Sequence, residues 1–221
     1  MKKILISFLL LACSTPLFAQ YAAPGYGFRL GLTAHPTFGW LNPEEGKGNG
    51  LALGFSYGLL GDFNFADNYS FATGITITTI NGKSTEISPL PFARNSDIME
   101  TYDLRYKLQY LEIPMTVKLK TEKIGDIRWY GQFGLSNDFK IGAKGDASRG
   151  STDLAKDLNI SDYTKFYRAG LILGAGGEFD LDHHTSITLG LSYNNGFTNI
   201  VKNDNRSVKN HYVGINFGVF F

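Results

Sequence analysis

Apolar and polar side chains alternate one by one along most of this chain. Every second residue of the segment 26–34 is apolar, and glycine, arginine and threonine stand between them. The same period of two recurs at residues 51–59 and 69–77, again with small or polar residues in the other phase. A period of two puts neighbouring side chains on opposite faces of an extended chain. The pattern therefore predicts β-strands with one apolar face.

The fourth alternating segment is longer, and its apolar phase changes once. Tyrosine and leucine alternate with polar residues from 102 to 110, and the apolar set then restarts at Leu111. Adjacent Tyr110 and Leu111 predict a β-bulge, which adds one residue to a strand. Pro114 has no N–H to donate to a neighbouring strand, so we expect weak pairing around it.

Four further segments bring the predicted number of strands to eight. They lie at about residues 129–141, 167–181, 185–193 and 211–221. The connections alternate in length, with long ones near 41–49, 82–100, 143–165 and 196–207 and short ones near 66–68, 121–126 and 182–184. An up-and-down barrel with both termini at the short-turn end has this alternation. The sequence therefore predicts an all-β, eight-stranded antiparallel up-and-down transmembrane β-barrel.

The first 19 residues have the composition of a bacterial secretory signal peptide. Lys2 and Lys3 form a basic start, an apolar core covers 4–12, and Ala19 is a small residue at a cleavage site. The apolar run is shorter than the roughly 20 residues of a membrane helix. We expect residues 1–19 to be removed and 20–221 to form the barrel domain. Lipidation of Cys13 in a lipoprotein-like site is the alternative.

The charged residues of the strands are assigned to the face opposite the apolar one. A lysine or arginine facing mid-bilayer costs about 2–4 kcal/mol, so in a membrane barrel the charged face must line the lumen. An eight-stranded lumen is narrow enough for side chains to fill, so a plug of salt bridges is favoured over a conduction path. The predicted polar network comprises Arg29, Arg105, Lys107, Glu112, Arg128, Asp138, Arg168 and Glu178, with Lys118 and Lys140 on the same face.

Composition and charge exclude several classes of function. Lys+Arg 21 against Asp+Glu 20 gives a net charge of +1, which offers no field for a nucleic acid. The only cysteine, Cys13, allows no disulfide framework or thiolate metal site in the barrel. Residues 174–179 superficially match a dinucleotide motif, but Phe179 occupies the last glycine position.

Neither a metal site nor a catalytic site is marked by the sequence. The four histidines lie far apart along the chain, apart from the adjacent pair His183 and His184; the other two are His35 and His211. The side chains of the pair point apart, because neighbouring residues of an extended chain face opposite sides. Ser192 and His211 lie on the seventh and eighth predicted strands, and no sequence element marks them as a nucleophile and base. We therefore predict no enzymatic activity, no metal and no cofactor.

Three stretches carry a family resemblance: residues 110–118, which contain Leu-Glu-Ile-Pro, residues 170–179, and the terminal strand 212–221. In them the chain resembles the PorT-like outer-membrane β-barrel proteins of Bacteroidetes, often labelled porin family. The resemblance implies a location in the bacterial outer membrane, insertion by the barrel assembly machinery, and a link to protein secretion. It also implies an assembly signal formed by Ile215, Phe217, Val219 and Phe221.

The functional hypothesis is an integral outer-membrane barrel with a structural or interaction role. Its expected partners are outer-membrane lipid, the assembly machinery and a protein that contacts the long extracellular loops, because loops carry function on such scaffolds. A narrow porin-like transport channel is the alternative, and a soluble periplasmic ligand-binding barrel comes third.

Overall fold

The computed structural model describes residues 27–88, 100–182, 185–202 and 207–221, and every regular element in these ranges is a β-strand. The predicted signal peptide lies outside the described residues. No helix in the described ranges is long and apolar enough to cross a membrane. The strands are β1 (Phe28–Pro43), β2 (Lys47–Gly48), β3 (Ala52–Ala66), β4 (Tyr69–Ser88), β5 (Glu100–Ile124), β6 (Ile127–Arg149), β7 (Thr152–Asn159), β8 (Tyr167–Asp180), β9 (Ser186–Gly196) and β10 (Val208–Phe220).

Eight of these strands close into a ring of antiparallel neighbours. The order around the ring is β1, β3, β4, β5, β6, β8, β9 and β10, and β10 pairs again with β1, with Gly31 opposite Phe220. Strands β2 and β7 stand outside the ring, paired with β4 and β6. The predicted eight-stranded antiparallel up-and-down barrel is confirmed.

The predicted alternation of connections is confirmed, although three long connections contain more strand than expected. Two residues connect β3 to β4 and β5 to β6, five residues separate β8 from β9, and both described chain ends lie at this end of the ring. At the other end β4 continues to Ser88, β5 begins at Glu100 and β6 continues to Arg149. The outer parts of these strands, with β2 and β7, form a five-stranded extension sheet in the order β2, β4, β5, β6, β7.

The outer face of the ring is apolar, as the alternation predicts. Leu53 is 63% exposed and Leu171 is 38% exposed on this face. Exposed aromatic rings cluster near the short turns: Phe28, Phe63, Phe65, Tyr69, Trp129, Phe179 and Phe221. Aromatic rings at the ends of an apolar band are typical of a membrane interface. The outer face therefore suits contact with lipid. The alternative of a soluble barrel does not explain an exposed apolar face with aromatic rings at its end.

Strand β5 does not contain the bulge that the sequence predicted. Its even-numbered residues from Tyr102 to Lys120 point inward without a break in alternation, except that Pro114 is half-buried. The irregular pairing lies beside Gln109 and Tyr110, but the extra residue is Ile141 of β6, so the bulge predicted at Tyr110 and Leu111 of β5 is wrong. On the β4 side, cross-strand pairing skips Ile113 and Pro114, as expected for a residue without an N–H.

The apolar phase in β5 changes because its surroundings change. Within the ring, outward residues such as Leu111 and Met115 are apolar, whereas in the extension sheet the inward residues such as Tyr106 and Leu108 are apolar. Lipid surrounds the first part and water surrounds the second, so the apolar face reverses while the strand remains regular.

Candidate functional site

The lumen contains a layer of ion pairs near the short-turn end, here called the ion-pair layer, formed by Arg29, Asp62, Lys118, Lys120 and Glu178. Asp62 lies 2.8 Å from the Lys118 ammonium and 3.3 Å from the Arg29 guanidinium, and Arg29 lies 2.7 Å from Glu178. Lys120 is 3.6 Å from both carboxylates. Asp62 and Glu178 are each 1% exposed. The layer therefore brings three cations and two carboxylates together across the lumen.

An aromatic residue of the last strand completes this layer. The Phe220 ring lies 5.0 Å from the Arg29 guanidinium and 5.1 Å from the Lys118 ammonium. Cations at this distance from a ring face are attracted to it. Phe220 therefore attaches the last strand to the charges on β1 and β5.

A second polar layer, here called the arginine layer, surrounds Arg168 on β8. The Arg168 guanidinium pairs with Asp138 and donates to the Asn210 side chain at 2.5 Å and the Asn194 side chain at 2.9 Å. Tyr212 donates its hydroxyl to Glu112 at 2.8 Å. Asp138, Arg168, Asn194, Asn210 and Glu112 are all buried. Of the two buried carboxylates, Asp138 is thus ion-paired with the one cation, and Glu112 is hydrogen-bonded to a tyrosine.

The two layers have opposite formal charges. Three cations meet two carboxylates in the ion-pair layer, whereas the arginine layer contains one cation and two carboxylates, of which only Asp138 is ion-paired. With all these groups ionised, the excess of one charge in each layer cancels in the pair of layers. Mutual compensation of this kind reduces the cost of burying charges.

A cavity of about 100 Å³ lies within the lumen. It touches Asp62 and Lys118 of the ion-pair layer, Glu112 and Tyr212 of the arginine layer, and His35 in the wall. A water molecule takes roughly 30 Å³ of liquid volume, and small-molecule sites occupy roughly 300–1,000 Å³. The cavity therefore has room for a few water molecules and is small for a sugar.

An apolar plug closes the long-loop end of the barrel. Tyr102, Leu104, Tyr106, Leu108 and Tyr110 of β5 point into it, and the long connections contribute Ile160, Ile200 and Val201. Leu41, Ile80, Ala143, Ala147 and Val208 complete the plug.

The two connections that contribute to the plug are joined to each other and to the wall. Thr164 pairs with Val201, and the Lys140 ammonium donates to the backbone oxygens of Ser161 and Thr164 at 2.7 Å. These contacts hold Ile160, Ile200 and Val201 over the mouth.

The structure brings five of the eight predicted network residues together. Arg29 and Glu178 meet in the ion-pair layer, while Glu112, Asp138 and Arg168 meet in the arginine layer. Arg128 borders an open recess at the short-turn end and is not in either layer. Of the two other residues placed on this face, Lys118 is in the ion-pair layer and Lys140 binds the loop over the plug.

The predicted positions of Arg105 and Lys107 are wrong. Both point outward from the extension sheet, because the inward positions beside them belong to Leu104, Tyr106 and Leu108. The reversal of the apolar face in β5 moves these two charges from the predicted lumen to the water-exposed surface.

Sequence reasoning missed Asp62, Lys120, Asn194, Asn210 and Tyr212. Asp62 comes just after the second alternating segment and keeps the phase of its inward residues, and Lys120 keeps the phase of Lys118. Extending the alternation a few residues further along both strands would have found the two. The other three are uncharged: Asn194 and Asn210 reach Arg168 from the next two strands of the sheet, and only the closure of the ring brings Tyr212 to Glu112.

The residues of the predicted assembly signal lie on the outer face. Ile215, Phe217 and Phe221 are exposed, and Val219 shares their phase. Contact with the assembly machinery stays a prediction.

The geometry does not support Ser192 and His211 as a catalytic pair. Ser192 is buried and bonds to the Asn216 side chain at 3.1 Å, whereas His211 stacks against Trp40 at 5.7 Å. Tyr212 points into the lumen, so its neighbour His211 points outward. Within the described ranges, no three metal-binding side chains come together, and His183 and His184 lie outside those ranges.

Outside the membrane-facing ring, a small charged cluster joins β5, β6 and β7. The Lys107 ammonium lies 2.8 Å from Asp146 and 2.9 Å from Asp157. The hydrogen bond from Lys107 lowers the pKa of Asp157, and the bonds to Asp146 and Asp157 raise the pKa of Lys107. A carboxyl pKa that is lower in the folded protein stabilises the fold at pH values above the ordinary pKa of 3.8. This stabilisation is lost as the pH falls through the lower pKa that Asp157 has in the folded protein.

We expect acid to loosen β7. A nitroxide attached at Lys156→Cys should be restrained at pH 6 and become more mobile as the pH falls below about 4, measured by electron paramagnetic resonance. The Lys107→Gln variant should be mobile at both pH values. Equal mobility and an equal pH profile in the two proteins would show that the cluster does not hold β7.

Residues 18–202 match the family described as Outer membrane protein beta-barrel domain. No curated protein has a sequence that matches significantly. Among solved structures, the chain is similar to Neisserial surface protein A, with 14% identity, 87% of this chain and 95% of that chain covered, and a TM-score of 0.48. The chain is also similar to OprG of Pseudomonas aeruginosa, with 11% identity, 89% of this chain and 97% of that chain covered, and a TM-score of 0.48. For Ail of Yersinia pestis the identity is 12%, the coverage is 86% of this chain and 97% of that chain, and the TM-score is 0.32. The chain belongs to the outer-membrane protein beta-barrel domain family, and its place is the bacterial outer membrane.

Proposed function

We propose that this protein is a closed outer-membrane barrel with a structural or interaction role, which presents an extracellular surface to a protein partner. The observation that carries the proposal is the filling of the lumen by the ion-pair layer, the arginine layer and the apolar plug. Neither enzymatic activity nor a cofactor is part of the proposal.

The three layers argue against the alternative of a narrow channel. The cavity of about 100 Å³ is bordered by charged side chains that already bind one another. Breaking such a buried pair leaves an uncompensated charge in the lumen, which costs about 3–5 kcal/mol. A path for sugars would require rearrangement of both polar layers and of the plug.

The extension sheet supports the interaction role. In outer-membrane barrels the long connections are extracellular, which places this sheet outside the cell. Every residue of β7 except Ala155 is exposed, and among the described strands β7 pairs only with β6. An exposed edge strand can add a strand from another protein. We place the partner contact at β7 and the neighbouring connections. Membership of the PorT-like group and a link to secretion stay predictions from the resemblance.

Solute flux tests the closed lumen. Purified protein in liposomes should give arabinose flux no faster than protein-free liposomes in a swelling assay, with a general porin as the positive control. Robust flux of sugar-sized solutes would contradict the proposal and support the channel.

A photo-crosslinker tests the partner contact. Placed at Leu154 of β7 in intact outer membranes, it should give a protein adduct of one reproducible size, and placed at lipid-facing Leu171 it should give none. Identical protein adducts from both positions, or none from Leu154, would contradict a partner site at β7.

A further inference from the structure

A recess of about 540 Å³ lies at the short-turn end of the barrel. Its lining combines three cations, two carboxylates and two hydroxyl side chains, which are Arg29, Lys123, Arg128, Asp180, Asp182, Thr185 and Ser186. This volume is in the range of small-molecule sites. Arg29 also belongs to the ion-pair layer, so that layer forms the inner end of the recess. In outer-membrane barrels the short turns are periplasmic, so the recess opens towards the periplasm.

Most charges of the recess already have a partner within the protein. Arg29 binds both carboxylates of the ion-pair layer. The Lys123 ammonium lies 2.5 Å from Asp180, and the backbone N–H of Thr185 donates to Asp182 at 2.7 Å. Two of the three cations are therefore neutralised by carboxylates of this chain.

The third cation, Arg128, is the exception. It is half-buried, and among the described residues its side chain has neither an ion-pair partner nor a hydrogen-bond partner. Arg128 is directly opposite Lys123 on β5 and directly opposite Glu178 on β8. Like charges at opposed positions destabilise a sheet, and Glu178 is already bound to Arg29. A carboxylate that enters the recess would therefore give Arg128 the counter-charge that it lacks.

A carboxylate of the protein lies near this unpaired arginine. Asp180 is two residues beyond Glu178 in the inward phase of β8, so it is a diagonal neighbour of Arg128. Diagonal neighbours of an antiparallel pair lie about 7–8 Å apart. An ionised carboxylate has about four acceptor positions, so Asp180 and Asp182 can each accept a further hydrogen bond. One ligand can therefore contact a guanidinium and a carboxylate of the recess together.

The mixture of charges narrows the class of ligand. A simple anion at Arg128 would lie beside two carboxylates, and a simple amine would lie beside three cations. A zwitterionic amino-acid group, with an ammonium and a carboxylate on one carbon atom, offers each of them an opposite charge. In the periplasm the short peptides of the cell wall present such groups, because their diamino diacid keeps a free ammonium and carboxylate at its far end.

We propose that the recess binds the free diamino-diacid end of a cell-wall peptide, with its carboxylate on Arg128 and its ammonium on Asp180 and Asp182. Arginine suits this role because its planar guanidinium binds a carboxylate through two parallel hydrogen bonds. The site would attach the barrel to the cell wall from the periplasmic side. It lies at the end of the barrel opposite β7, so it is independent of the proposed protein partner.

The test measures peptide binding to the purified, folded barrel in detergent by isothermal titration calorimetry. The probe is acetyl-L-alanyl-γ-D-glutamyl-diaminopimelate, whose single free amine is on the diamino diacid. The wild type should bind this probe at least tenfold more tightly than the form in which that amine is also acetylated. Arg128→Gln should weaken the probe at least tenfold. The matched control Arg105→Gln removes an exposed arginine that also has no ion-pair partner among the described residues, and its affinity should stay within twofold of the wild type.

Each other outcome overturns the proposal. Equal binding of the two peptides, or displacement by an equal concentration of inorganic phosphate, would assign the recess to simple anions. Equal binding of acetyl-trialanine, whose only charge is its terminal carboxylate, would assign the recess to the chain end of a protein. Equal losses in the two glutamine variants would indicate a general charge effect.

A second variant keeps the test decisive if Arg128→Gln does not fold. Arg128→Lys retains the positive charge but cannot form the two parallel hydrogen bonds. It should still weaken the probe at least threefold, and wild-type affinity in this variant would contradict the assigned role of Arg128.

Discussion

Replacement of Arg168 by alanine should lower the free energy of unfolding by about 3–5 kcal/mol, because it leaves buried Asp138 without its paired cation and removes the positive charge that acts on Glu112. Arg168 is 1% exposed and also donates to Asn194 and Asn210, which would lose their partner. The measurement is the urea dependence of unfolding in detergent micelles or vesicles.

The matched control is Arg149→Ala. Arg149 also binds a carboxylate, that of Glu100, but the two side chains are 55% and 36% exposed, so water replaces the lost contact. Little change is expected in this variant. Equal losses in the two alanine variants would show that the arginine layer contributes no more than a surface pair.

A double variant separates the charge effect from lost packing. Adding Asp138→Asn to Arg168→Ala removes one of the stranded carboxylates, so part of the lost stability should return. A non-additive cycle of this kind isolates the interaction between the two residues. Strictly additive losses would mean that the pair is not coupled.

Leu108→Ala should cost about 2–5 kcal/mol, since this side chain is 0% exposed at the centre of the apolar plug and its removal leaves a cavity. The same urea titration measures the loss. The variant should still give no sugar flux in liposomes, because the ion-pair and arginine layers lie below the plug and stay in place.

The control for this variant lies on the same strand. Leu119 is 42% exposed on the lipid-facing side, where acyl chains can fill the space that its truncation leaves. Leu119→Ala should therefore cost clearly less than Leu108→Ala. An equal cost would mean that the plug is no better packed than the lipid interface.

Much of the lumen was predictable from the phase of each segment. Within the ring, Arg29, Glu112, Asp138, Arg168 and Glu178 occupy the phase opposite the apolar one, and all five are in the two polar layers. The contacts among them were not predictable. Arg168 meets Asp138 across one strand pair, but Glu112 of β5 meets Tyr212 of β10 only because the sheet closes into a ring.

The prediction failed where a strand leaves the membrane. Arg105 and Lys107 were assigned to the lumen on the assumption that the apolar side chains of residues 102–110 face lipid. Those side chains instead form the plug, and the two charges face water. In a long strand of a barrel, a change of apolar phase therefore has two explanations, which are a bulge and the boundary of the membrane.

The sequence by itself determined the eight strands of the ring and the alternation of long and short connections, because a period of two and the turn residues are local properties. It also determined which face of the ring strands meets lipid, since a lysine or arginine facing mid-bilayer costs about 2–4 kcal/mol. Only the tertiary structure decided where the lipid ends along each strand, which charges pair and what fills the mouth. Those features depend on side chains distant in sequence that meet only after the eight strands have closed into a ring.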